Sequence, residues 1–397
     1  MDTVHEIFAA FKRQRREIEV SLADMQKEVA RFSGRIFLYG AGSSGVAFLY
    51  FLRRVGMEPL AFIDGDPKKQ GQRCEGLEIV APEEAAAKAE GEFLVIVCIN
   101  TDGKRYCKSF AEALRVGGHH GVYQKLHDAG CPNVVDYTFF RHCFALFTEE
   151  KYNAPSCSDV DLMLRYEEEI AQVYALLSDD LSRGILEKIL RFRLLDDTLT
   201  VPTMKQEDQY FEPEFYEPRE DAAFIDCGAF NGISAETFFR RNGEAFSGYY
   251  GMEPDPANFR QLQEYVKTLA PAVQEKMHLY EKAAWQAEEM VPLYALGGPG
   301  SFFAPGIGKT MVEGLPIDRL PAEKVTFIKM NIEGSEKEAL AGAERTICRD
   351  KPQLAIAGYH RTSDLWEIPL LICRFRGDYR LSLRSYMNHI SFVYYGK

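Results

Sequence analysis

Two segments of the chain each combine an apolar strand, a glycine-rich turn and an apolar helix. The first segment begins at Ile36 and the second at Phe224. A strand that leads through such a turn into a helix is the repeating unit of parallel α/β sheets. The chain has 397 residues, which is enough for two domains of this kind. We therefore predict an α/β protein with two doubly wound sheets.

The pattern of strands and helices divides the chain into four parts. We predict an N-terminal helix over 1–33, a Rossmann-like nucleotide-binding domain over 34–130, a helical connector over 131–215 and a second α/β domain over 216–397. The first helix carries one apolar stripe, which we expect to pack on its own domain; pairing with a second subunit in a homodimer is the alternative. The stripe consists of Ile18, Leu22, Met25, Val29 and Phe32.

Seven candidate strands in the last part specify its topology. Helical stretches separate the first five strands, whereas a short connection joins the last two, which predicts an antiparallel hairpin. Five parallel strands closed by an antiparallel pair is the pattern of class I methyltransferases. The seven candidates are 223–226, 248–252, 277–280, 326–330, 354–357, 379–383 and 391–395.

Composition narrows the classes of partner and compartment. The chain has 59 acidic and 47 basic residues, a net charge of −12, and the acidic excess falls in 131–220. Such a surface repels nucleic acid, so we expect no nucleic-acid partner. The most apolar run, 93–99, is far shorter than a membrane span, and we expect no membrane association. The nine cysteines are irregularly spaced, which favours reduced thiols in the cytoplasm.

The first glycine turn is typical of a phosphate-binding site. Gly40, Gly42 and Gly45 would let backbone N–H groups approach a phosphate at the start of a helix. Asp64 ends the next strand, where a carboxylate can accept ribose hydroxyls. We predict a second nucleotide site here. A turn kept only for tight packing and an NAD-dependent oxidoreductase are the alternatives.

The second glycine turn differs because it contains an acid. Asp226 lies in the turn with Gly228 and Gly232, and it would repel a pyrophosphate. Glu253 ends the following strand, where it could accept both ribose hydroxyls of an adenosine. This combination favours S-adenosylmethionine over a dinucleotide.

From about residue 208 to residue 395 the sequence resembles the FkbM family of S-adenosylmethionine-dependent methyltransferases. Seven pieces occur in the family's order, and their number makes the resemblance specific. They are 208–211, 224–229, Glu253-Pro254, 317–320, 327–336, the segment 359–369 with Tyr359-His360, and Arg384 with 392–395.

The resemblance implies methyl transfer to a hydroxyl, often on a sugar or a natural-product scaffold, and we expect the acceptor to be a sugar, a nucleotide-sugar or a glycoconjugate. It implies that the cofactor is held by Asp226, Gly228, Ala229, Gly232 and Glu253, and that the reacting side is lined by Lys329, Asn331, Glu333 and His360.

The chain departs from the family at Asn331, where the family usually has Asp. Asparagine cannot take a proton from a hydroxyl. We therefore take His360 as the first candidate for the general base and Glu333 as the second. A cofactor-binding module with weakened catalysis is the alternative function. Asn331, Glu333 and His360 could also hold a divalent cation, Mg²⁺ or Mn²⁺.

Residues 34–130 resemble the nucleotide-sugar-binding domains of bacterial sugar acyltransferases. The similarity lies in the glycine turn, in 62–66 at the end of the next strand, and in 69–71 and 76–79. It implies that the first domain presents a nucleotide-sugar substrate to the second. The glycine- and proline-rich segment 297–306 is either a lid over the substrate or an ordinary surface loop.

Overall fold

The computed structural model describes most of the chain. It divides into two compact units, one made of residues 3–164 and 190–199 and the other of residues 165–189 and 200–397. The described residues are 3–54, 56–99, 107, 109–115, 120–137, 139–140, 160–195, 202–295, 297–298, 300–303, 308–386 and 391–397.

The first unit contains a six-stranded sheet. Its strands are β1 Ile36–Tyr39, β2 Ala61–Ile63, β3 Arg73–Cys74, β4 Leu77–Val80, β5 Leu94–Val97 and β6 Asn133–Asp136. They lie in the order β3-β4-β2-β1-β5-β6, and all neighbours are parallel except β3 and β4. This is the doubly wound sheet that the sequence predicts, and its sixth strand lies beyond residue 130.

The helices of this unit cover the sheet. They are α1 Thr3–Ala30, α2 Ser43–Arg54, α3 Ala85–Ala89, α4 Phe110–Ala113 and α5 His120–Asp128. Met25 and Val29 of α1, and Phe32 just after it, are buried in one cluster with Phe48 and Leu52. The prediction that the stripe packs on its own domain is therefore confirmed, and the side chains of Ile18 and Leu22 lie outside the described residues.

Three further helices lie within the segment 131–215. They are α6 Val160–Arg165, α7 Glu167–Leu176 and α8 Asp180–Leu195. Asp179, directly before α8, accepts hydrogen bonds from the buried Arg384, and both residues belong to the second unit. The boundary between the two units falls within α8, between Ile189 and Leu190.

The second unit is built on a seven-stranded sheet. Its strands are β7 Ala223–Cys227, β8 Gly248–Met252, β9 Met277–Tyr280, β14 Phe327–Met330, β15 Gln353–Ala357, β16 Leu381–Ser385 and β17 Phe392–Gly396. They lie in the order β16-β17-β15-β14-β7-β8-β9. Strand β17 runs antiparallel to both of its neighbours, and the other pairs are parallel. Both the parallel sheet and the closing hairpin are confirmed.

A second, four-stranded sheet stands beside the large sheet. Its strands are β10 Ala283–Ala284, β11 Met290–Tyr294, β12 Phe302–Phe303 and β13 Thr310–Leu315, in the order β10-β13-β11-β12. The sequence does not predict this sheet, because β10 and β12 have only two residues each and β11 and β13 carry weak alternation. The remaining helices are α9 Ile233–Asn242, α10 Pro256–Lys267, α11 Pro271–Gln274, α12 Glu336–Ala341, α13 Glu344–Asp350 and α14 Asp364–Phe375.

Aromatic side chains dominate the core beneath the large sheet's central strands. Phe224 and Phe327, on adjacent strands, stack with ring centroids 5.0 Å apart, and Phe211 closes over both. Such packing fixes the positions of β7 and β14 relative to each other. None of the helices in the described part of the chain is long and apolar enough to cross a membrane.

Candidate active site

A cavity of about 510 Å³ opens at the carboxyl ends of β7, β8 and β14. This is where ligands bind in open α/β sheets. Gly228, Glu253, Asn331 and Glu333 all contribute to its wall. The four-stranded sheet adds an apolar side, formed by Trp285, Val291, Leu293, Phe303 and Val312.

The turn after β7 is built for close approach of backbone segments. Gly228 has φ +78°, and a Cβ there would lie 2.1 Å from the Asn331 carbonyl oxygen. Gly232 has φ +97°, and a Cβ would lie 2.4 Å from the ring of Tyr265. Only glycine adopts a positive φ without strain and has no Cβ that would collide, so only glycine fits at these two positions. The buried Ala229 donates its N–H to the Met252 carbonyl and does not reach the cavity wall.

Asp226 is not part of the cavity wall, which corrects the expectation that its side chain holds the cofactor. It is fully buried, and its carboxylate accepts from Lys329 Nζ at 2.9 Å and from the Tyr249 hydroxyl at 2.6 Å. Lys329 also donates to the Cys227 and Gly228 carbonyls, at 3.3 and 2.8 Å. The pair therefore fixes the shape of the turn, and its lysine lines the cavity wall.

Glu253 is held with its carboxylate at the cavity. Its two oxygens accept the N–H groups of Phe230 and Asp255, each at 3.0 Å. A carboxylate has about four acceptor positions, so Glu253 can also accept ligand hydroxyls. Burial raises the pKa of Glu253 to about 7, against the effect of these two donors. An adenosine ribose supplies the hydroxyl donors that would favour the ionised form.

Asp255 fastens the segment after β11 to this region. Its carboxylate caps α10 through the N–H of Ala257 at 2.8 Å, and it also accepts from the Gly297 N–H and the Ser301 hydroxyl, at 3.0 and 2.6 Å. Phe303 then packs on Trp285, with ring centroids 4.6 Å apart. The described residues of the segment 297–306, predicted as a lid or a surface loop, therefore form part of the cavity wall and are held there by Asp255.

Asn331 and Glu333 follow β14 and line the opposite wall. The Asn331 side-chain oxygen accepts the Tyr359 hydroxyl at 3.2 Å. Glu333 has φ +54°, a left-handed conformation that is strained for a residue with a side chain. Its side chain is 32% exposed, so its carboxylate is far more open than the buried one of Glu336 nearby.

His360 is 3% exposed and does not line the cavity. Its Nδ1 lies 2.9 Å from Glu336 Oε1, and its Nε2 lies 3.7 Å from Glu333 Oε1. Burial opposes the charge, but the Glu336 and Glu333 carboxylates raise the pKa of His360 well above its ordinary value. An imidazolium has no lone pair to accept a proton, so this geometry disfavours the predicted role of His360 as base.

The predicted cation site at Asn331, Glu333 and His360 stays a prediction; Glu333 Oε1 and His360 Nε2 lie 3.7 Å apart. Among the described residues, the three possible ligands that gather are Glu336, His360 and Asp364, all buried. Glu336 accepts the N–H groups of Ile332 and Gly334, and Asp364 accepts that of Arg361. The carboxylate oxygens of Glu336 and Asp364 already accept hydrogen bonds from the backbone and lie near the Arg361 guanidinium. This arrangement does not favour a divalent cation.

The first glycine turn has the predicted shape. Gly40 has φ +106°, and a Cβ on Gly45 would lie 1.9 Å from the Gly40 carbonyl oxygen, whereas a Cβ on Gly42 would meet nothing within 4 Å. Asp64 accepts the Ala41 N–H at 2.9 Å and Lys69 Nζ at 3.0 Å on one oxygen, and the Asp66 N–H at 2.9 Å on the other. Asp64 therefore ties the turn to the next loop and keeps little capacity for a ribose. This weakens the oxidoreductase alternative.

Comparison with known proteins favours the methyltransferase class. Residues 226–389 match the family model described as the methyltransferase FkbM domain. The chain carries an FkbM methyltransferase domain. The matched residues include β14 and the cavity wall around Asn331, and the match supports an S-adenosylmethionine-dependent methyltransferase.

Solved structures show the same fold. The methyltransferase FkbM from Methylobacillus flagellatus KT superimposes with a TM-score of 0.67 at 21% identity, over 99% of this chain and 100% of that chain. The chain matches no curated protein.

Two more distant structures share part of the fold. Fibrillarin from Aeropyrum pernix, solved with S-adenosyl-L-methionine, has a TM-score of 0.32 at 12% identity, over 49% of this chain and 74% of that chain. An rRNA methylase from Streptococcus thermophilus has a TM-score of 0.30 at 13% identity, over 45% and 88%. Both likenesses are too weak to bear on the function of this chain.

Several residues of this site are not among those predicted from the sequence. Tyr210 and Phe230 line the cavity, Asp255 anchors its wall, and Glu336 holds the turn at Glu333. Tyr210 and Glu336 lie within segments that carry the family resemblance, so the resemblance could have indicated both as site residues. The roles of Phe230 and Asp255 depend on contacts across the fold.

Proposed function

We propose that this methyltransferase acts on a hydroxyl oxygen of a sugar or nucleotide-sugar. The observation that carries the proposal is that one cavity joins the Glu253 carboxylate to a wall rich in amides, hydroxyls and carboxylates, the carboxylates being those of Glu207, Glu236 and Glu333. The first end suits an adenosine and the second suits a polyhydroxylated acceptor.

The residues of the first end fit S-adenosylmethionine. Gly228 lets the turn approach the Asn331 backbone where a Cβ would collide, Glu253 offers further acceptor positions, and Ala283 and Ala284 also line the cavity. We propose that these residues hold the adenosine and that the Asp226–Lys329 pair supports them from below. When bound, the cofactor supplies a methyl group on a sulfonium, which is already activated for transfer.

The second end offers the contacts that sugars use. Amide and hydroxyl side chains hydrogen-bond ring hydroxyls, and aromatic faces cover the apolar face of a ring. The polar set is Gln206, Gln209, Ser234, Thr237, Asn331 and Ser335, and the aromatic set is Tyr210, Phe211 and Phe230.

We propose Glu333 as the general base. Its carboxylate is exposed to the cavity, whereas His360 is buried and paired. The acceptor oxygen would bond to the methyl carbon while its proton passes to Glu333 and the bond from sulfur to that carbon breaks. General-base catalysis of this kind contributes about 10²–10⁴-fold.

A cofactor-binding module with weakened catalysis is the second candidate. Asn331 stands where the family usually has Asp, and its oxygen already accepts the Tyr359 hydroxyl. If Asp is required at this position, the chain would bind the cofactor without efficient turnover.

The first glycine turn stays a prediction as a nucleotide site, and a nucleotide-sugar substrate stays a prediction with it. Titration with uridine diphosphate and with NAD would test the turn, and the Gly42→Val variant would be the comparison. Saturable binding that this variant abolishes would support the site.

The experiment for the proposed function measures transfer of a labelled methyl group to a panel of hexoses and nucleotide-sugars. We expect product with at least one acceptor, and we expect Glu333→Gln to slow the reaction by about 10²–10⁴-fold with unchanged cofactor affinity. Glu338→Gln is the control, because Glu338 pairs with Arg361 and does not line the cavity. Equal rates in the two variants would exclude Glu333 as the base.

A further inference from the structure

Glu336 holds the backbone on both sides of Glu333. It is fully buried at the start of α12, and its Oε1 and Oε2 accept the N–H groups of Ile332 and Gly334, each at 2.9 Å. A carboxylate that accepts two backbone N–H groups makes two charge-assisted hydrogen bonds. The backbone N–H groups of the residues before and after Glu333 are therefore held by one side chain.

The turn that Glu336 holds is strained. Glu333 has φ +54° and Gly334 has φ +94°. A residue with a side chain adopts the left-handed conformation only where its surroundings impose it. The two hydrogen bonds from Glu336 supply that constraint, since they would be lost if the turn relaxed.

Glu336 also acts on the side chain of Glu333 through His360. The imidazole Nδ1 lies 2.9 Å from Glu336 Oε1, and the opposite ring nitrogen lies 3.7 Å from Glu333 Oε1. His360 is nearly inaccessible to solvent, so its ring is held between the two carboxylates. Although burial opposes the charge, the Glu336 and Glu333 carboxylates outweigh it and raise the pKa of His360 well above its ordinary value, which favours a protonated ring between them.

We infer that Glu336, together with His360, is a positioning residue that sets the Glu333 carboxylate at the cavity wall. The inference rests on the proposed role of Glu333 as the base. Glu336 fixes the backbone of Glu333 directly and orients its carboxylate through the imidazolium. No step of the reaction is assigned to Glu336 itself.

A binding measurement tests this inference without an acceptor. Sinefungin carries a protonated amine in place of the sulfonium methyl, whereas S-adenosylhomocysteine has no charge there. A carboxylate beside the transferred methyl therefore strengthens sinefungin binding relative to S-adenosylhomocysteine. The ratio of the two dissociation constants, from calorimetric titration, reports the position of Glu333.

We expect Glu333→Gln to reduce the preference for sinefungin by about tenfold or more, which is the effect of losing a hydrogen bond to a charged group. Glu336→Gln should reduce it similarly and leave the affinity for S-adenosylhomocysteine within about twofold. In the double variant the two effects should not add, because Glu336 acts through Glu333. Glu338→Gln, on the same helix, should keep the wild-type ratio.

A folded Glu336→Gln variant with the wild-type ratio would overturn the inference. If that variant does not fold, His360→Gln takes its place, and an unchanged ratio there has the same meaning. If wild-type protein binds neither compound, the proposed function fails and the inference falls with it. If Glu333→Gln lowers the ratio but neither Glu336→Gln nor His360→Gln does, only the positioning role is wrong.

Discussion

Replacing Gly228 with alanine tests whether the cofactor turn depends on close packing of its backbone. The added Cβ would lie 2.1 Å from the Asn331 carbonyl oxygen and 3.2 Å from Ile332 Cγ2. The nearest atom belongs to the backbone, so no side-chain rotation relieves the collision. The turn must move away from β14, and the Gly228 edge of the cavity must move with it.

The size of the effect follows from two contributions. A residue with a side chain at φ +78° is strained by about 1–3 kcal/mol. Forcing an atom into a packed site adds about 1–3 kcal/mol. Gly243 has φ +76° and nothing within 4 Å of a Cβ position, so Gly243→Ala carries only the first contribution.

Urea denaturation and calorimetry measure the outcome. We expect Gly228→Ala to lower the free energy of unfolding by about 1–3 kcal/mol more than Gly243→Ala does. We also expect Gly228→Ala to abolish measurable binding of S-adenosylhomocysteine, whereas Gly243→Ala retains it. Equal destabilisation, or normal binding by Gly228→Ala, would refute the steric argument.

The site yields three further predictions. The affinity for S-adenosylhomocysteine should fall about tenfold per pH unit as the pH drops below 7, because the ligand needs ionised Glu253 and burial raises the pKa of Glu253 to about 7. Titrations between about pH 5.5 and 8 check this, and the Glu253→Gln variant should show a flat pH profile. Asn331→Asp should change the methyl-transfer rate less than about tenfold if Glu333 is the base, and a rise above about a hundredfold would favour the weakened module instead. Asp255→Ala should destabilise the protein by about 0.5–2 kcal/mol, because the α10 cap is lost. The same variant should be cleaved faster by proteases beside Ser301, whereas Ser301→Ala should change the rate of proteolysis without changing stability.

The sequence predicts the frame of the fold because strand alternation and glycine turns are local signals. Both strands of the closing hairpin are found within two residues of their predicted starts, at Leu381 and Phe392. The four-stranded sheet is missed because its strands pair through contacts distant in the chain. Ala283 pairs with Gly314, for example, and nothing near Ala283 in the sequence indicates that partner.

The sequence predicts several residues of the cavity wall but not their hydrogen-bond partners. Glu253, predicted from its place at a strand end, and Asn331 and Glu333, implied by the family resemblance, line one cavity. Residue type and spacing do not reveal that Asp226 is engaged by Tyr249 and Lys329, or that His360 is buried beside two carboxylates that raise its pKa. Such roles depend on neighbours that other strands supply.

Calorimetric titration of the protein with S-adenosylhomocysteine, in parallel with Glu253→Ala and Glu264→Ala, tests the central claim most directly. Glu264 is exposed on α10 and pairs with Lys267, so its loss should leave the site intact. We predict saturable binding at one site per chain, lost in Glu253→Ala and retained in Glu264→Ala. Absence of binding to the folded wild-type protein, or equal affinity in all three proteins, would contradict the assignment of the cofactor site.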